Sequence, residues 1–149
     1  MASTSRIRRK WVGPFRIRDL LADVHGGSVP RAPQKGSAYL VTRRCWMHIP
    51  TAKCEPLYVG GITGGSPRFR TRLGDLVADM FGFFGTTTGH HSGGRSLFQW
   101  CKKHEVNPMQ LQIAWVKHTH CHRCLEVALV GELKPVLNRK LPARCPSHG

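Results

Sequence analysis

The chain has 149 residues, 40% of them apolar, which suits one domain with a modest core. Lysine and arginine number 23 against 8 acidic residues, and the formal charge of +15 points beyond solubility to a polyanionic partner. No run approaches the roughly 18 apolar residues of a membrane span, and no apolar stretch follows Arg8-Arg9 to make a secretory signal, so no membrane partner and a cytoplasmic location are expected. In that compartment the six cysteines are reduced thiols or metal ligands rather than disulfides.

Residues 1–44 carry 10 basic side chains and only Asp19 and Asp23 as acids. Residues 1–35 read as a basic arm and linker, punctuated by Gly26-Gly27 and Pro30-Arg31-Ala32-Pro33, with a short helix over 17–24 as an option inside it. Ala38 to Thr42 and Leu57 to Gly60 are two short runs of strand-forming residues. The connection between them holds Arg43, Arg44, Cys45, Trp46, Lys53 and Cys54. Ser66-Pro67 is a helix start, and Phe69, Leu73, Leu76, Val77 and Met80 make one apolar stripe, which predicts a helix over 67–81. Arg68, Arg72, Asp75 and Asp79 fall on its other side.

A glycine-rich loop follows over 82–94, containing His90 and His91, and then a short helix around Leu97, Phe98 and Cys101. The alternation in Leu111 to Val116 predicts a third strand. Leu125, Ala128, Leu129 and Leu133 predict a last helix over 121–133, stopped by Pro135. The expected fold is α+β: a small antiparallel or mixed three-stranded sheet flanked by helices, occupying 36–140, with a loose tail over 141–149.

The chain has only two tyrosines, and both stand in these strands. Ser37-Ala38-Tyr39 and Tyr58-Val59-Gly60 resemble the two signatures of the GIY-YIG nucleases. Arg72 on the following helix looks like that family's catalytic arginine, and Glu126 like its metal-binding glutamate. Pro135-Val136-Leu137-Asn138 looks like its closing motif, with a structural or active-site asparagine. The resemblance spans about residues 35–140.

It implies hydrolysis of a phosphodiester with one Mg2+ or Mn2+ ion on Glu126, a hard oxygen ligand. Tyr39 and Tyr58 would lie beside the attacking water, Tyr39 being the better placed as general base. Arg72 would hold nonbridging phosphate oxygens through its planar fork, with Arg68 and Arg70 as competitors for that role. Arg43, Arg44, Lys53, Arg68, Arg70 and Asn138 are the expected nucleic-acid contacts. One departure is Leu76, a turn after Arg72, where many members place a histidine or tyrosine; His90 or His91 would then supply the missing proton transfer.

The expected substrate is duplex or branched DNA, in a restriction-like or repair-like role, and RNA offers the same backbone charge. If the function of the residue at Leu76 is lost, the chain is instead a noncatalytic nucleic-acid binding module. His118-Thr119-His120-Cys121-His122-Arg123-Cys124 is dense in soft ligands, and Cys121-x-x-Cys124 has the spacing of half a zinc site, with no second such pair to complete it. A zinc-stabilised interaction domain is the reading from a third class.

Overall fold

The computed structural model describes residues 9–22, 38–61, 69–82, 92–116 and 121–138. Four strands, β1 (Trp11–Arg16), β2 (Tyr39–Thr42), β3 (Pro56–Gly60) and β4 (Gln112–Val116), form one antiparallel sheet in the order β1-β4-β2-β3. Four helices accompany them: α1 (Ile17–Ala22), α2 (Phe69–Met80), α3 (Ser92–His104) and α4 (His122–Leu133). The architecture is α+β, but the sheet has four strands where the sequence predicts three.

The extra strand lies in the stretch that reads as a basic arm. Gly13-Pro14 conceals it, since a glycine and a proline inside an apolar run argue against a strand. In the fold both sit where the pairing of β1 with β4 shifts register, between Val12 and Phe15, and Gly13 takes φ +101 there. Proline is tolerated because β1 is the edge of the sheet. Phe15 then packs on Trp115 at 5.6 Å between ring centroids, joining the stretch to the core.

Successive residues of β2 serve two cores, as the two-residue period of a strand requires. Tyr39 and Val41, with Ile113 and Trp115, face Ile17 of α1, Leu76 and Met80 of α2, and Leu97 and Cys101 of α3. Leu40, with Val59 and Ala114, faces Leu129, Val130 and Leu133 of α4. Helices therefore cover both faces, and all five residues of β4 are buried. The alternation that predicts β4 is real in register, but it marks two cores rather than one wet face and one dry one.

The apolar stripe of α2 packs as its spacing implies, with Leu76 and Met80 fully buried at about 1.5–3 kcal/mol of transfer free energy each. Asp79 departs from expectation. It is buried at 3% exposure, because α3 lies against the side of α2 that reads as polar. The contact depends on Gly94, where a β-carbon would stand 2.6 Å from Asp79 Cβ and 2.7 Å from the Leu76 carbonyl oxygen. Close packing there outweighs the helix cost of glycine, about 1 kcal/mol per residue, so α3 starts at Ser92 inside the run that reads as loop. Helix α4 begins one residue later than predicted and ends at Lys134, which takes φ 47 and donates its N–H to the Val130 carbonyl at 3.0 Å, just before Pro135.

Candidate active site at the tyrosine pair

Antiparallel pairing places Tyr39 opposite Gly60 and Val41 opposite Tyr58. The two tyrosines are therefore diagonal neighbours on one face, with ring centroids 6.1 Å apart and planes inclined by 43°. Gly60 leaves room for both rings: a β-carbon there would overlap the Tyr39 hydroxyl and stand 2.9 Å from Tyr58 Cε2. At the start of α3, a β-carbon on Gly93 would stand 2.6 Å from Tyr58 Cε2 and 2.7 Å from its hydroxyl oxygen. The phenol of Tyr58 thus lies across the first turn of α3, where helix N–H groups lack intrahelical acceptors and the local field favours negative charge.

The rings differ in access. Tyr39 is 1% exposed, whereas Tyr58 is only partly covered. Resemblance ranks Tyr39 first as general base, but Tyr58 is the ring that solvent reaches more readily. Sequence reasoning passed over Gly93, whose importance comes only from the docking of α3 on β3.

Glu126 stands in the first half of α4. Burial pushes its carboxyl above the ordinary value of 4.5, and Arg123, one turn earlier, opposes the shift. The chain leaves β4 at Val116 and returns beside β3, where Val136 N–H donates to Pro56 O at 3.2 Å and Leu137 N–H to Leu57 O at 2.9 Å. Helix α4 thus runs back along the sheet from the end at which Tyr39 lies, with Glu126 nearer that end. Its leucines belong to the core on the opposite face from the tyrosine rings, so the fold puts the helix that carries Glu126 across the sheet from the pair and does not bring the three side chains together.

Asn138 has a structural task. Its Oδ1 accepts from Val59 N–H and its Nδ2 donates to Val59 O, both at 2.8 Å, so the side-chain amide pairs with the outer edge of β3 as another strand would. Arg43 and Arg44 share Glu55, at 3.9 and 2.8 Å. The hydrogen bond from Arg44 holds the Glu55 carboxyl below its ordinary value, with Arg43 contributing less. Both guanidinium groups stay substantially exposed, and so does Lys53. Arg9, counted with the basic arm, instead forms a two-pronged ion pair with Glu132 of α4 at 2.6 and 3.0 Å.

No family model, curated protein or solved structure matches the chain. The site therefore stands on its own geometry. Arg72 and Arg70 lie on α2, with side chains outside the described residues, and Arg68, His90 and His91 lie outside them altogether. Leu76 is fully buried and offers no proton. Cys121 precedes α4 and Cys124 lies in its first turn. Among the described residues no group of three or more histidine, cysteine or acidic side chains is placed to hold a metal ion. No helix among them is long and apolar enough to cross a membrane.

Proposed function

We propose that the chain is a metal-dependent endonuclease of the GIY-YIG type, hydrolysing phosphodiester bonds in duplex or branched DNA. The observation that carries this reading is the tyrosine pair on adjacent antiparallel strands, seated on Gly60 and Gly93 with Tyr58 against the first turn of α3. Support also comes from the chain order around it: two paired strands, two helices, a strand beside the first, and a helix bearing a half-buried glutamate.

Phosphodiester hydrolysis needs a deprotonated water, stabilisation of charge on phosphorus, and neutralisation of the leaving oxygen. Tyr58 orients the water and takes its proton, with Tyr39 packed behind it to fix the ring. Arg72 holds the nonbridging oxygens. Glu126 suits a divalent cation, since a carboxylate that burial disfavours as an anion gains from a hard cation more than a solvated one does. Glu126 would be the residue to hold Mg2+ or Mn2+, and the ion would supply Lewis-acid chemistry for the leaving group.

One observation favours a second reading, a noncatalytic nucleic-acid binding module. Leu76, fully buried, stands where the resemblance expects a histidine or tyrosine, and Tyr39 is nearly buried, which leaves two of the expected proton-transfer positions without an accessible group. Incubation of supercoiled plasmid, single strands and branched DNA with Mg2+ or Mn2+ separates the two. Endonuclease function predicts nicking that falls by about a hundredfold or more in Glu126→Ala and Arg72→Ala. Persistent lack of cleavage, or cleavage equal in Glu126→Ala, removes it; binding that survives both Glu126→Ala and Tyr39→Phe without metal then favours the module.

A further inference from the structure

Of the four large apolar side chains that stand exposed among the described residues, two flank a single residue: Met47 at 78% and Ile49 at 67%, on either side of His48. The segment carrying them, the β2–β3 connection, is a stalk tied at its base. At its base the β2–β3 ladder continues past the strands, Arg43 N–H donating to Glu55 O and Arg44 N–H to Cys54 O, both at 3.1 Å. Thr42 Oγ1 donates to Arg44 O at 2.8 Å. Trp46 is buried and packs edge-on against Trp11 at 5.3 Å, while Cys54 is buried with its thiol donating to Thr51 O at 2.9 Å.

The tip is a three-residue turn. Ile49 N–H donates to Met47 O at 2.8 Å across His48, which sits at φ 66. This is the positive-φ form of the γ-turn, uncommon and strained for a residue with a side chain. A strained turn on an anchored stalk therefore holds two apolar side chains out in water. Their surroundings are cationic: Arg43, Arg44 and Lys53 are all exposed on the same stalk, with Glu55 the one acid among them.

We propose that this tip is a wedge for duplex DNA, Met47 and Ile49 entering between base steps from the minor groove while Arg43, Arg44 and Lys53 lie on the flanking phosphates. The inference rests on the nucleic-acid reading above and extends it to how the duplex is held. Methionine and isoleucine are among the side chains that unstack base steps in this way, and the bend they produce brings more basic surface to the backbone. Charge selects this occupant. A tip carried on a stalk that bears Arg43, Arg44 and Lys53, on a chain of +15, is drawn to a polyanion, and the interior of the base stack is the apolar surface that a polyanion offers.

The test uses the full chain with relaxed closed-circular plasmid in EDTA, which withholds the metal for cleavage, and a metal-independent topoisomerase. Unstacking lowers DNA twist, so after deproteinisation the wild type leaves a linking-number deficit that grows with bound protein. The Met47→Ala, Ile49→Ala double variant alters only exposed side chains. Its affinity falls by no more than about tenfold, since phosphate contacts carry most of the binding, but the deficit disappears. Lys53→Ala weakens affinity and lowers the salt slope by about 1 without changing the deficit per bound protein. Met109→Ala, an apolar truncation elsewhere on the surface, behaves as wild type.

A wild type that binds without a linking change, or a double variant that keeps the change, overturns the wedge. If the wild type nicks plasmid with metal but leaves no deficit in EDTA, the wedge alone falls and the nuclease reading stands. If it binds no DNA, both fall. Loss of self-association in the double variant by sedimentation, with the linking change intact, makes the tip a protein contact instead.

Discussion

A single β-carbon is enough to test the packing of the tyrosine pair. Gly93 is the second residue of α3, where alanine would ordinarily gain about 1 kcal/mol over glycine. Here that carbon meets the Tyr58 ring, so Gly93→Ala is expected to lose about 1 kcal/mol or more in denaturant unfolding, overpacking exceeding the helix gain. Gly131→Ala on α4 meets nothing within 4 Å and should gain about 0.5–1 kcal/mol. In a double-mutant cycle, Tyr58→Ala should erase most of the Gly93→Ala loss; strict additivity of the two would show that the ring is not the obstacle. Glu126 gives a second test at this scale. Its folded pKa lies above the unfolded one, so its charge costs nothing at pH below the ordinary carboxylate range and destabilises increasingly as pH rises through the folded pKa. Glu126→Gln should therefore raise Tm at about pH 7 in the absence of metal, with the gain vanishing near about pH 4. An equal gain at both would assign it to packing instead. Added Mg2+ or Mn2+ should stabilise the wild type and not this variant.

Each edge of the sheet is protected in a different way. On the β3 side the chain returns from α4, and residues 136–138 satisfy Pro56, Leu57 and Val59 in turn. Asn138→Ala removes both bonds to Val59 and should cost about 1–3 kcal/mol in equilibrium unfolding, with Asn138→Asp similarly harmful because it loses the donor. A loss of DNA affinity without loss of stability would instead restore the nucleic-acid contact that sequence reading assigned to Asn138. On the β1 side, the register shift and Pro14 blunt the edge. The helices were legible because their apolar spacing is long and regular, as in α2 and α4. The first strand was not, because Gly13-Pro14 carries the signal of a linker, and only pairing with β4 reveals that an edge strand can hold it. The early start of α3 was equally hidden, since propensity argues against Ser92-Gly93-Gly94 and the gain that overrides it comes from α2 and Tyr58.

For the whole molecule, charge is the largest property in play. If the basic surface engages a DNA backbone, log Kobs should fall linearly with log salt at roughly 0.9 per phosphate contacted, and a slope implying about five or more contacts is expected. A slope near zero in a fluorescence-anisotropy titration would mean that the charge serves something other than DNA. Part of that charge is committed to the fold, Arg9 being held by Glu132, whereas Arg43 and Arg44 share Glu55 but keep 46% and 68% of their side-chain surface exposed. By itself the sequence determined the α+β class, the two-strand, helix-pair, strand, helix order, and the basic character, because periodicity and net charge are sums over neighbouring residues. Only the tertiary structure decided that the sheet has a fourth strand, that Tyr58 rather than Tyr39 is the accessible ring, that the helix carrying Glu126 packs on the face opposite the tyrosines, and that Met47 and Ile49 stand out on a strained tip. Each of those depends on which distant segments meet, and that is set by packing between residues far apart in the chain.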